Sequence, residues 1–260
     1  MLCKEIIKKI NESFPEERAM EWDNVGLLCG RDDKEVHRIY ISLDATDFII
    51  EDAIRWKADM LITHHPLIFS GIKKINDHDF VGRRLLKMIQ HDMCYYAMHT
   101  NYDVCGMAEL SGKTLGIGNA EVLEVTYTNG EREEGIGRVA DLDEEMTLDE
   151  CCDMVKEKFM LSNVKVFGNL GTKVKRIAIS PGSGKSMINI ALSKGADVLI
   201  TGDIDHHTGI DAFAQGLCVI DAGHYGLERI FIPDMKDYLE ECLDDVIVKA
   251  ADVYSPFLIV

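Results

Sequence analysis

The sequence predicts an α/β protein built on mostly parallel sheets. Three observations carry this reading. Short aliphatic runs alternate with amphipathic helical segments, the alternation occurs once in each half of the chain, and polar residues follow the aliphatic runs directly. Strand–helix–strand alternation implies parallel pairing with helices on the sheet faces. Ligands of such sheets bind beyond the carboxyl ends of the strands.

The elements follow in order. Ile6, Ile7, Ile10 and Phe14 recur on one side of a short N-terminal helix. Residues 38–43 read as a strand, 47–56 as a helix, 59–63 as a buried strand, 80–90 as a helix and 93–98 as a strand. Residues 121–141 are rich in Gly and Glu, with short β-like stretches. Thr147 and Glu150 form a capping-box signature opening an amphipathic helix over 147–160. The second run has strands at 177–180, 198–201 and 217–221 and helices over 186–193 and 206–214. This places a first α/β domain in residues 1–125 and a second in 126–260, with the C-terminal helix able to pack back on the first.

The stretch Lys57-Ala58-Asp59-Met60-Leu61-Ile62-Thr63 resembles Gly195-Ala196-Asp197-Val198-Leu199-Ile200-Thr201. Duplication of one unit explains this, and so does convergence of helix-to-strand joints on Ala-Asp followed by aliphatics. The copies differ at their exits, His64-His65 in the first and Gly202-Asp203 in the second.

Apolar residues make up 47% of the 260 positions and charged residues 28%, a globular and not a disordered balance. The net charge of −17 makes nucleic acid an unlikely partner, because its affinity comes from Lys and Arg on phosphates. Lys73, Lys74, Arg83 and Arg84 leave room for an anionic small molecule. Eight cysteines without a C-x-x-C pair indicate a reducing compartment, and hence the cytoplasm. No apolar run reads as a signal peptide or a membrane span, so no membrane association is expected.

Six of the nine histidines follow predicted strands: His64, His65, His99, His206, His207 and His224. His64 and His65 leave a strand just before Pro66, which biases His65 to an extended conformation. A change of direction there can bring both rings to one cavity; the alternative is a pair capping the strand end. Asp103 is a hard oxygen donor after the next strand, or an Asx turn with Asn101. His99 can be a ligand, an orienting group or a proton carrier. His224 and Glu228, four apart, share one face of a helix; Glu228 can also be a plain complement to the helix dipole. Together, His64, His65, Asp103, His224 and Glu228 offer three imidazoles and two carboxylates. That set suits two divalent cations of the Zn, Fe, Mn, Co or Ni type more than Ca.

Pro181-Gly182-Ser183-Gly184-Lys185-Ser186 imitates the end of a phosphate-binding loop, but Ile179 stands where the first glycine is required. It reads as a tight joint or an anion-accepting turn. Asp44 reads as a helix cap sooner than as a cleft-facing acid, and Asp205 as a helix cap. His206 and His207 rank below the five ligands.

The ordered motifs Glu21-Trp22-Asp23-Asn24-Val25-Gly26-Leu27, Thr63-His64-His65-Pro66, His99-Thr100-Asn101-Tyr102-Asp103, Thr201-Gly202-Asp203 and Gly223-His224-Tyr225-Gly226-Leu227-Glu228 resemble those of the Nif-three-like family, also called the type 2 homologues of GTP cyclohydrolase 1. The resemblance runs to Ser255-Pro256-Phe257. It implies two similar α/β domains, a dinuclear metal site in the cleft between them, a toroidal homohexamer, and the same five ligands. The expected function is a metal-dependent hydrolase with a bridging hydroxide and His99 as proton shuttle, acting on a nucleotide-like or phosphorylated small molecule. A non-catalytic regulatory or metal-handling protein, and metals as structural staples, are the competing readings.

Overall fold

The computed structural model describes residues 1–130, 132–252 and 255–259. Its strands are β1 (Gly26–Cys29), β2 (Arg38–Ser42), β3 (Met60–Thr63), β4 (Cys94–Ala97), β5 (Glu121–Asn129), β6 (Arg132–Thr147), β7 (Lys165–Phe167), β8 (Lys173–Ser183), β9 (Val198–Gly202), β10 (Cys218–Asp221) and β11 (Ile247–Ala250). They form two sheets in two contact units, one of Met1–Tyr102 with Phe231–Tyr254 and one of Asp103–Ile230 with Ser255–Val260.

In the first unit the order is β1-β4-β3-β2-β11. Strands β4, β3, β2 and β11 are parallel, and β1 joins β4 antiparallel. Every residue of β3 and β4 is buried. Continuous apolar runs of this kind fit strands covered on both faces. Helices Asp47–Arg55 and Phe80–Gln90 make the crossovers, and their Ile50, Ala53, Leu85 and Met88 pack with Tyr40, Leu61 and Tyr95 in one core. Thr46 and Asp79 cap these helices, accepting from Ile49 and Gly82 N–H; such a cap contributes about 1 kcal/mol. Ser42 pairs with Thr63 and Thr63 with Ala97, so the three segments that follow leave the sheet along one edge.

In the second unit the order is β5-β6-β8-β9-β10-β7, with β8, β9 and β10 parallel. The Gly- and Glu-rich stretch, expected to hold only short β-like pieces, is a long antiparallel hairpin of β5 and β6. A Cβ on Gly135 would lie 1.9 Å from the Glu124 carbonyl oxygen, so glycine permits the pairing. Helices Ala108–Leu115 and Leu148–Lys158 cover one face, where Leu115, Ile117, Cys151 and Val155 meet Ile177 and Ile200. Helices Met187–Ser193 and His206–Ala214 cover the other. Contacts therefore pass to this unit after Tyr102, upstream of the composition change near residue 125.

The repeated Ala-Asp joint makes the same hydrogen bonds in each unit. Asp59 Oδ2 accepts from the N–H groups of His37 and Arg38 at 2.9 and 3.1 Å, where β2 begins. Asp197 Oδ2 accepts from Lys175 and Arg176 at 2.8 Å each, near the start of β8. Arg38 and Arg176 donate to the carbonyls of Trp56 and Lys194. Lys57 and Gly195 both take positive φ, 61° and 71°, to end their helices. One carboxylate receiving two successive strand N–H groups explains why Asp recurs there.

Candidate metal centre

The first unit gathers His64, His65 and His99 at the edge where β3 and β4 end. Donor atoms of the three lie within 4.8 Å of one another. The rings of His64 and His65 are 5.0 Å apart, and each lies within 5.7 Å of the His99 ring. Adjacent side chains in a regular strand would point apart, but β3 has ended at Thr63. The turn that follows is clamped: Thr63 Oγ1 and Tyr95 Oη both donate to the His65 carbonyl, and Leu67 N–H donates to Tyr95 Oη. Burial pushes the Tyr95 hydroxyl up to about 12, so it stays a neutral donor.

Each of these rings is aimed by an oxygen on its Nδ1. His64 Nδ1 is 2.8 Å from the Met98 carbonyl, which can only accept, so its Nε2 carries the lone pair. His65 Nδ1 is 2.8 Å from Asp44 Oδ1, and His99 Nδ1 is 2.9 Å from Asp23 Oδ1. Burial raises the Asp23 carboxyl, but hydrogen bonds from His99 and Thr100 outweigh it and hold Asp23 down at about 2.

The second unit gathers Asp103, His224 and Glu228. Asp103 opens a π-helical turn, Asp103–Met107, and not the Asx turn that is its alternative reading. Such turns are frequent at functional sites. Asn101 is buried and donates to the Phe14 carbonyl. His224 and Glu228 lie in the short helix His224–Glu228, and a carboxylate oxygen of Asp103 lies within 4.8 Å of one of Glu228. His224 Nδ1 is 2.7 Å from Asp203 Oδ2.

The turn that imitates a phosphate loop makes room for Glu228. A Cβ on Gly182, at φ +82°, would stand 2.5 Å from Glu228 Oε1. A Cβ on Gly202 would stand 2.5 Å from the His224 amide nitrogen. The glycines thus let the backbone of β8 close on the Glu228 side chain and that of β9 on the His224 backbone.

The donor set fits divalent transition metals. Imidazole nitrogens backed by carboxylate or carbonyl oxygens on their far side are the usual arrangement around such ions. His224 Nε2 and Glu228 Oε2 are 2.9 Å apart.

Comparison with known proteins gives the family. Residues 1–255 match the model of the family described as Duf34/NIF3 (NGG1p interacting factor 3). The chain belongs to the Duf34/NIF3 family. A Duf34/NIF3 relative from Clostridium acetobutylicum, named GTP cyclohydrolase 1 type 2 homolog, is 34% identical over 92% of this chain and 90% of its own length. One of the same name from Streptococcus pneumoniae is 34% identical over 94% and 92%. A Bacillus cereus protein related to NIF3 superposes with a TM-score of 0.91 at 26% identity, covering 100% of this chain and 99% of that one. Reduced HcgD from Methanocaldococcus jannaschii superposes with 0.84 at 30%, covering 97% and 98%. The family and the α/β fold expected from the motifs are thus borne out.

Other expectations for this Duf34/NIF3 chain are revised. Asp44 is not the helix cap, a role Thr46 takes; it holds His65. Asp205 does cap its helix, accepting from Thr208 N–H. His206 and His207 are exposed and enter none of the candidate metal groups among the described residues. Asp23, Asp44 and Asp203 were not singled out as orienting groups, since their partners are 76, 21 and 21 residues away. An open pocket of about 390 Å³ lined by Asn24, Leu27, Ile68, Ile72, Ile75 and Leu85 contains none of the three histidines. No helix among the described residues is long and apolar enough to cross a membrane.

Proposed function

We propose that His64 and His65 from the first unit and Asp103, His224 and Glu228 from the second are the ligands of a pair of divalent metal ions, and that the protein is a metal-dependent hydrolase of a nucleotide-like or phosphorylated small molecule. The observation that carries this reading is the set of oxygens that fix Nδ1 of His64, His65 and His224 and so direct their Nε2 atoms. A bound metal pair supplies an acidified water and positive charge for the oxygens of the displaced group. Asp23 stays anionic at neutral pH and turns His99 so that its Nε2 can take up and return a proton.

The test is elemental analysis of purified protein together with a hydrolase panel. About two divalent ions per chain are expected. His224→Ala should lose metal and turnover while keeping its circular dichroism. Fully metallated protein inert on the whole panel would transfer the support to the metal-handling reading.

Assembly as a toroidal homohexamer and residence in the cytoplasm belong to the same proposal. Family resemblance supports the first, and eight free thiols fit the second. Light scattering behind size exclusion should return the mass of six chains.

A further inference from the structure

The feature of the first unit that the metal reading leaves unused is a pair of exposed aromatic side chains beside His99. Trp22 is 58% exposed and Phe69 53%, yet their rings stack, with centroids 6.0 Å apart and planes 24° from parallel. Both turn toward the same imidazole: His99 meets Trp22 edge-on at 6.0 Å and Phe69 at 5.9 Å. His99 in turn shares the group formed with His64 and His65.

The segments that carry the two rings are pinned. Asp23, next to Trp22, binds His99 Nδ1 and both the N–H and the hydroxyl of Thr100. Met20 N–H donates to Thr100 Oγ1 at 2.8 Å. Asn24 Nδ2 donates to the Ile68 carbonyl at 2.6 Å, tying the Trp22 segment to the residue before Phe69. Rings ordered before a ligand arrives lose little freedom on binding. Flat, rigid, half-exposed aromatic faces suit another planar ring, because stacking accepts any π-face.

We propose that Trp22 and Phe69 are a stacking platform for a planar heteroaromatic ring of the ligand, holding its polar end toward His99 and its neighbouring histidines. The inference rests on the proposed metal centre and narrows its substrate class from nucleotide-like or phosphorylated small molecules to those bearing such a ring. Trp22 and Phe69 are positioning residues and donate nothing to a metal.

The test uses the metallated full-length protein with adenosine and guanosine 5′-monophosphates as ring-bearing probes and ribose 5-phosphate as the ring-free one. Calorimetry should show the nucleotides binding about tenfold or more tighter than ribose 5-phosphate. In a Trp56→Phe background, where Trp22 is the remaining tryptophan, the nucleotides should quench emission saturably. Trp22→Ala and Phe69→Ala should bring nucleotide affinity down to that of ribose 5-phosphate, and Trp22→Phe should retain most of it. Metal content is measured on every sample. A protein that holds its metals but binds all three probes equally, or none, overturns the platform alone. Alanine variants that change the number of chains in the assembly and leave nucleotide affinity untouched overturn it too, by making the rings a contact between copies. A purified chain that takes up no metal overturns the metal centre first.

Discussion

His224 and Glu228 stand one helical turn apart, with Nε2 and Oε2 separated by 2.9 Å, and Glu228 is almost wholly buried. A buried carboxylate requires a cation or hydrogen bonds to replace its water. Nε2 of His224 faces this carboxylate, so one cation could be held by both, and the same imidazole is held from behind by Asp203.

Asp203→Asn therefore tests the support without touching a ligand. Metal affinity should fall by about 10–100-fold while the fold persists. Competition against a chelator of known affinity measures this, and an unchanged value would remove Asp203 from the centre.

Gly182→Ala should damage the same place by crowding. Its Cβ would stand 2.5 Å from Glu228 Oε1 in a backbone conformation that alanine resists. A loss of more than about 1 kcal/mol of stability is expected, together with reduced metal content. Urea melts and elemental analysis read the two effects separately.

The strand-start carboxylates offer a paired test of the internal repeat. Asp59→Ala and Asp197→Ala each strip the acceptor from two backbone N–H groups. Each should cost about 1–3 kcal/mol in denaturant unfolding. Similar losses from the two variants are expected, because the joints are alike.

Asp23 predicts a pH dependence. Its folded pKa of about 2 lies below the ordinary 3.8, so its stabilisation is fully present above pH 4 and is lost as pH falls toward 2. The amount is about 2 kcal/mol. Asp23→Asn should lack this component, so the stability difference between the two proteins should shrink across that window.

Much of the fold is legible in the residue order. Helices over 80–90 and 206–214 span the residues their periodicity marks, and Asp205 opens the second as its position predicts. The β5–β6 hairpin was harder to read because its glutamates and glycines lack strong strand propensity; pairing along a neighbouring strand makes it regular. At the candidate site, residue type and position after a strand single out His64, His65, His99, His224 and Glu228.

By itself, the sequence determined the family, the alternation that makes an α/β fold, and which side chains can donate to a metal, since these depend on local order and chemical type. Only the tertiary structure decided which oxygen aims each imidazole. Asp44 and Asp203 reach their histidines across neighbouring strand exits, Asp23 reaches His99 from just before β1, and Gly182 and Gly202 serve by the space they leave. Those relations exist only once strand pairing, parallel behind Asp44 and Asp203 and antiparallel behind Asp23, has brought distant chain segments together at the edge of each sheet.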